Sequence, residues 1–289
     1  LYFDDLQVPA GVYETQTPAA QRIDPQRYDG LLRPRERNSN KGRFGHVLVI
    51  GGERGMSGAA RMAGEAAART GAGLVSVATR DCHASMLNLT VPELMVRGVE
   101  SADALAPLLE RATVIAIGPG LGQTEWSRSL LEAVLHLPHP MVVDADALNL
   151  LATDPRESDQ WVLTPHPGEA ARLLHCDTET IQSDRYAAAA SLQQRYGGVC
   201  VLKGAGTLVA SKERVAVCNT GNPGMASGGM GDVLTGVIAG LLAQGLSPVD
   251  AAELGVWVHG AAGDAAAAQG ERGMLASDLF PHLRQRLNP

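Results

Sequence analysis

A carboxylate set just after a run of glycines is the pattern in this chain best suited to chemistry. From Asn219 to Gly245 the sequence reads NTGNPGMASGGMGDVLTGVIAGLLAQG, with Gly221, Gly224, Gly228, Gly229 and Gly231 ahead of Asp232. Glycines lack a Cβ, so their backbone N–H groups can converge on an anion. An apolar small-residue run follows, and a helix opening there adds the positive end of its dipole. A carboxylate at the mouth of such a nest repels the anion the nest attracts. Removing a proton from a nucleophile is the task that explains it. The competing reading is a glycine-rich turn with Asp232 capping a helix.

Five other patterns carry polar or backbone chemistry. The loop Gly51–Gly58, GGERGMSG, precedes a helix and leaves backbone open to a phosphate or a flat ring, or is simply a tight connection. Gly118–Gly122, GPGLG, is a stiff loop that nothing bulky obstructs, equally suited to ligand contact or to a turn. In DADALNLL, Asp144 ends a strand, and Asp146 and Asn149 follow. Hard oxygens beside phosphates can hold Mg2+ directly or through water, while Asp146 serves as well as a helix cap. In TPHPGEAARLL, prolines on both sides of His166 stiffen its loop and fix the direction of the imidazole. Glu169 then opens a helix, where it can orient metal-bound water or favour the dipole. In VLKGAGT, Lys203 ends an apolar strand, and its ammonium can pair with phosphate. The alternative there is a hairpin turn with a solvated lysine.

The elements that position these residues follow a rhythm. Short apolar runs, HVLVIGG (His46–Gly52), LVSVAT (Leu74–Thr79) and TVIAIGPGLG (Thr113–Gly122), read as buried strands. Helical patterns alternate with them, the first stopped at Gly71 and Gly73. ADALAPLLERA and WSRSLLEAVLHL also read as helices. PMVVDADALNLL opens as a strand, and VCVLKGAGTLVAS with RVAVCNTG reads as two strands around a glycine turn. Two Ala-rich helices follow Asp232. The pattern predicts an α/β fold: one large, mostly parallel central sheet with helices on both faces. Ligands bind such sheets beyond the carboxyl ends of the strands, where Asp144, His166, Lys203 and Asp232 fall.

Composition sets limits. The 289 residues are 45% hydrophobic but only 4% aromatic, with 33 glycines, which suits closely packed α/β layers. A formal charge of −7 argues against a broad nucleic-acid surface. Four scattered cysteines without CxxC spacing argue for a reducing cytoplasm rather than a zinc site or disulfides. No apolar run is long enough for a membrane span. There is no G-x-x-x-x-G-K-[ST], and GGERGMSG is not the dinucleotide fingerprint G-x-G-x-x-G. Residues 1–40 are polar and proline-rich after LYFDDLQVP, and read as a linker, with Leu1–Val8 as the end of a preceding domain and 41–289 as the main domain. An arm packed on the main domain competes with that reading.

In order along the chain, NSNKGRFGHVLVIGG, GPGLG, DADALNLL, LTPHPGEAARLL, VLKGAGT and NTGNPGMASGGMGDVLTG resemble the ADP-dependent NAD(P)H-hydrate dehydratase family of the ribokinase-like superfamily. The resemblance runs from about Asn38 to the C-terminus. It implies restoration of NADH or NADPH hydrated on the nicotinamide ring, with ADP giving AMP and phosphate. It implies Asp232 as the base, with the N–H groups of Gly229, Met230 and Gly231 stabilising the transferred phosphoryl. Lys203, Gly204, Ala205, Gly206, Thr207 and Gly231 would contact the AMP part. Ala59 (or Ala60, by a one-residue shift), Gly120, His166 and Asp232 would meet the hydrated dinucleotide. Mg2+ is expected with the nucleotide, near Glu169 and Asp144. The resemblance further implies a preceding epimerase domain, of which residues 1–40 keep a remnant, and a homo-oligomer, a tetramer. A ribokinase-like kinase of a small hydroxymethyl or hydroxyethyl heterocycle, or an inactive nucleotide-binding module, would use the same glycine nest.

Overall fold

The computed structural model describes residues 6–16 and 18–288. Ten strands form one sheet: β1 Gln21–Arg22, β2 His46–Ile50, β3 Leu74–Thr79, β4 Met95–Gly98, β5 Val114–Ile117, β6 Met141–Val143, β7 Trp161–Leu163, β8 Val199–Leu202, β9 Leu208–Ala210 and β10 Val215–Val217. Their order is β1-β10-β9-β8-β7-β6-β5-β2-β3-β4. From β4 across to β8 every pairing is parallel, and β8, β9 and β10 pair antiparallel. The expected large, mostly parallel sheet is therefore present. The segment read as two strands around a glycine turn is three, because Lys203–Thr207 makes a tight reversal and a second turn follows at Ser211. The edge strand β4 has no signal in the sequence rhythm. ADALAPLLERA makes only a 3-10 turn, Ala102–Leu105, and a four-residue helix, Ala106–Leu109.

Alternation along the strands sorts the core onto two faces, since successive side chains point to opposite sides. Val47, Val49, Val75, Val77, Ala116 and Val142 face one layer, built on the helices Ser57–Thr70, Met230–Ala243 and Pro248–Ala266. Leu48, Ile50, Ile115, Ile117, Met141 and Val143 face the other, with Trp126, Leu130, Leu148 and Tyr196. The helix Ser57–Thr70 ends at Gly71, whose φ of 117° closes it with bonds to the carbonyls of Ala67 and Ala68. Among the described residues no helix is long and apolar enough to cross a membrane.

Residues 18–40, the region read as linker, run along the domain. Gln21 and Arg22 add β1 beside β10. Ile23 and Tyr28 are buried. The Tyr28 hydroxyl donates to Glu253 Oε2, and Arg214 Nε donates to Glu253 Oε1 at 3.0 Å. Arg35 stacks on Phe44, 3.6 Å from its ring centre. The expected domain end at Leu1–Val8 lies mostly outside the described residues, and its remainder, Leu6–Val8, forms no strand.

The site helix is seated by close contact. A Cβ at Gly236 would sit 2.1 Å from the Ala63 carbonyl oxygen and 2.6 Å from the Ala66 Cβ. Alanine in place of a mid-helix glycine ordinarily stabilises by about 1 kcal/mol. Here we predict the opposite sign: Gly236→Ala lowers stability by about 2 kcal/mol or more in chemical denaturation, because neither backbone can retreat. An unchanged or raised midpoint would show that the two helices have slack.

Candidate active site

Strand ends bring the polar residues together. Asp144 follows β6, Thr164 and His166 follow β7, and Lys203 follows β8. Asp144 is fully buried. Its Oδ1 accepts from Thr164 Oγ1 at 2.7 Å and from Lys203 Nζ at 2.8 Å, and its Oδ2 accepts from Thr235 Oγ1 at 2.8 Å. Lys203 Nζ also lies 3.7 Å from Glu169 Oε2. Burial alone would depress the Lys203 ammonium, but Asp144, Glu169 and Asp232 outweigh it and hold the amine above its ordinary value.

The helix Met230–Ala243 begins beside this pair. Gly229, its N-cap, has φ 92°, a left-handed conformation that side chains rarely adopt. A Cβ at Gly231 would lie 3.3 Å from Lys203 Nζ and 3.7 Å from Asp144 Oδ2. First-turn N–H groups have no carbonyl partner within a helix, so this end is open to an anion. Asp232 lies in that turn, and its carboxylate has no hydrogen-bond or ion-pair partner among the described residues. Burial and then the charge of Asp144 push its pKa up to about 7, with Lys203 opposing and Asp146 adding to the rise. A group so placed is a carboxylate near neutrality and still readily protonated, as a general base needs to be.

His166 is the N-cap of the helix Pro167–Leu174. Its Nδ1 accepts from Gly168 N at 2.9 Å and Glu169 N at 3.4 Å. With Nδ1 an acceptor, the ring proton sits on Nε2. Burial, followed by the charges of Lys203 and Arg172, keeps the imidazole below its ordinary pKa and so neutral. Glu169 returns the cap, accepting from His166 N at 2.8 Å. The turn Lys203–Thr207 is braced by Arg185, which donates to the carbonyls of Ala205 at 2.6 Å and Leu202 at 3.1 Å. Thr207 Oγ1 closes it on Gly204 O at 2.9 Å.

A cavity of about 580 Å3 lies over these elements. Asp144, His166, Lys203, Gly204, Ala205, Gly206, Thr207, Gly229, Met230, Gly231 and Asp232 all line it. Its size suits a nucleotide. Ala59 and Gly120 fall outside that lining and touch each other instead: a Cβ on Gly120 would be 3.0 Å from the Ala59 Cβ. Ala59 is part-exposed whereas Ala60 is fully buried, so Ala59 is the one open to contact. Glu169 is buried behind His166 and Lys203.

Asp144 and Glu169 do not fit as direct Mg2+ ligands. Both oxygens of Asp144 are spent on two hydroxyls and an ammonium, and Glu169 is held by a backbone N–H with Lys203 alongside. Among the described residues no group of three or more His, Cys, Asp or Glu side chains is arranged to hold a metal. Asp146, the other candidate, accepts from Gly122 N at 2.8 Å and so fastens the GPGLG loop. Sequence reasoning missed Thr164, Thr235 and Arg185. A threonine in an otherwise apolar helix, three residues after Asp232, was the one available signal. It also missed the far wall of the cavity, where Cys218, Met225 and Val256 make an apolar surface and Asp264 holds the loop by accepting from Gly221 N and Asn222 Nδ2, both at 3.0 Å.

A model of the NAD(P)H-hydrate dehydratase family matches residues 47–285. The chain is 56% identical over 261 residues to the bifunctional NAD(P)H-hydrate repair enzyme of Coxiella burnetii, covering 90% of this chain and 54% of that one. It is 40% identical over 272 residues to the ADP-dependent (S)-NAD(P)H-hydrate dehydratase of Neisseria meningitidis serogroup B, covering 89% of this chain and 90% of that one. The crystal structure of the ADP/ATP-dependent NAD(P)H-hydrate dehydratase of Bacillus subtilis, grown with ATP and Mg2+, matches with a TM-score of 0.83 at 31% identity, over 93% of this chain and 99% of that one. The chain spans a little over half the length of the bifunctional relatives it matches. With a family model covering most of its length and relatives of this identity, the chain belongs to the NAD(P)H-hydrate dehydratase family.

Proposed function

We propose that this chain uses ADP to dehydrate the S form of NADH or NADPH hydrated on the nicotinamide ring, releasing AMP and phosphate. The observation that carries the reading is Asp232: an unpartnered carboxylate with a pKa near 7, in the first turn of a helix whose open N–H groups lie beside Lys203 on the lining of a nucleotide-sized cavity. The names of the N. meningitidis and B. subtilis relatives support the substrate and the nucleotide.

Hydroxide is a poor leaving group, whereas phosphate is a good one. Asp232 takes the proton from the ring hydroxyl as that oxygen attacks the β-phosphorus of ADP. A new O–P bond forms, and the bond from the β-phosphorus to the bridging oxygen breaks, leaving AMP. The N–H groups of Gly229, Met230 and Gly231 with the Lys203 ammonium meet the charge on the moving phosphoryl. The turn Lys203–Thr207 holds the AMP part. The ring nitrogen then pushes out phosphate, and loss of a proton from the neighbouring carbon restores the dihydropyridine. His166, neutral with its proton on Nε2, donates to the dinucleotide, whose ring side rests on Ala59 and Gly120. Mg2+ fits as an ion carried by the nucleotide phosphates and water rather than by Asp144 and Glu169. Relatives named as bifunctional, of which this chain spans a little over half, support reading residues 1–40 as the connection from a second functional half, which the sequence resemblance takes to be an epimerase.

Four outcomes follow. Incubation with ADP and hydrated NADH restores the reduced-nicotinamide absorbance; no recovery with either ADP or ATP would contradict the assignment. Since the base must be ionised, kcat/KM is predicted to fall about tenfold per pH unit below about 7 and to level off above it. A flat profile between about pH 5 and about pH 8, which brackets that value, would remove Asp232 from the role. Asp232→Asn is predicted to lose at least about a thousandfold in turnover while keeping ADP binding. The same change should stabilise the fold at alkaline pH. The folded carboxyl has its pKa raised from 3.8 to about 7, so its ionisation costs stability increasingly as pH rises through that window. At pH 8 we expect Tm to rise by roughly 3 °C or more, a gain that vanishes near pH 4; an equal shift at both pH values would mean the charge is not its source.

A further inference from the structure

The surface formed by Ala59 and Gly120 belongs to two loops, and the bonds that fix those loops lie outside the cavity. Gly51–Gly58 leaves β2 and Gly118–Gly122 leaves β5, neighbouring strands from which the chain winds in opposite directions. Loops that part at such a point open a crevice. Here the crevice is bridged: Gly52 N donates to Pro119 O at 3.0 Å, and Glu53 N donates to Gly120 O at 2.7 Å.

The Glu53 side chain extends the bridge. It is buried, at 7% exposure. Oε1 accepts from Arg54 N at 2.8 Å and Arg80 Nε at 2.8 Å. Oε2 accepts from Arg80 Nη2 at 2.9 Å and Thr124 Oγ1 at 2.8 Å. Thr124 is the N-cap of the helix that follows the second loop. Arg80, just after β3, lies over the Trp126 ring at 4.3 Å and reaches Glu100 at 2.6 Å. One carboxylate thus ties the ends of β2 and β3 to the loop after β5. The bidentate Arg80 contact holds its pKa down to about 2, so it stays charged throughout the working range. The nucleotide side is braced by different residues, Arg185 and Asp264. Slack in the first set need not reach the second.

We propose that Glu53 is a positioning residue for the dinucleotide half of the site: its bonds to Arg80 and Thr124 keep Gly120 pressed against Ala59, so that both loops offer one continuous surface to the nicotinamide nucleotide. This rests on the function proposed above. Glu53 touches no reacting atom; it acts through the two loops.

The test separates the two ligands. Binding of the product NADPH, read by nicotinamide fluorescence, needs no turnover, and ADP binding is measured on the same samples by calorimetry. Glu53→Gln is expected to weaken NADPH binding about tenfold or more, with ADP affinity held within about twofold of wild type. Uncovering Arg80 can prevent folding. Thr124→Val therefore serves as the second variant: it removes the bond to Glu53 together with the helix cap on Ser127 but exposes no charge, with NADPH weakened about threefold. NADPH affinity unchanged in every variant that folds, or NADPH and ADP affinity falling together, overturns the inference. Wild-type protein that binds NADPH but fails to turn over the hydrate with ADP overturns the proposed reaction instead.

Discussion

One buried ion pair organises the site. Removing a carboxylate from water costs several kcal/mol unless its lone pairs are met, and Asp144 has both oxygens met by Lys203, Thr164 and Thr235. Those four residues come from the ends of three neighbouring strands and from the helix that carries Asp232. Satisfying Asp144 therefore sets the distance between the Lys203 turn and the glycine nest. It also raises the proton affinity of Asp232 by a like charge that cannot move away. A residue placed there on sequence grounds as a cation ligand turns out to hold a cation of the protein's own, an ammonium.

The scaffold keeps that pair in place by close backbone contact rather than by large side chains. Gly236 and Gly240 let the site helix lie directly on Ala63, Ala67 and their neighbours. With few aromatic residues to fill gaps, the layers approach by thinning side chains, and this is where the chain's glycine and alanine are used. The opposite flank of the helix Pro248–Ala266 is fastened by Glu253 to Tyr28 and Arg214, so the N-terminal arm shares in holding the helix that backs the cavity.

Much of this was legible in the sequence, for identifiable reasons. Short apolar runs marked most strands, two of them ended by glycines, because a buried parallel strand needs no polar alternation. Asp232, Lys203 and His166 stood out because each is a polar residue at the end of an apolar element. The partners of Asp144 did not stand out, since the pairing of three strand ends with a helix some ninety positions along the chain leaves no local pattern. Glu53 and Arg80 were hidden likewise: each reads as a loop charge, and only the adjacency of β2, β3 and β5 makes them a bridge. The short strands β4 and β1 lacked signal because edge strands bury little.

The central claim is that the glycine nest holds the phosphorus where the ring hydroxyl attacks it. Hydrated NADH carrying heavy oxygen in its ring hydroxyl tests that claim directly, by mass analysis of the products after turnover with ADP. If the hydroxyl oxygen attacks phosphorus, the label leaves in inorganic phosphate, with none in AMP and none released to water. Label recovered in water would mean that the ring loses its hydroxyl without phosphorylation, and the placing of Asp232 beside the nest would need another explanation.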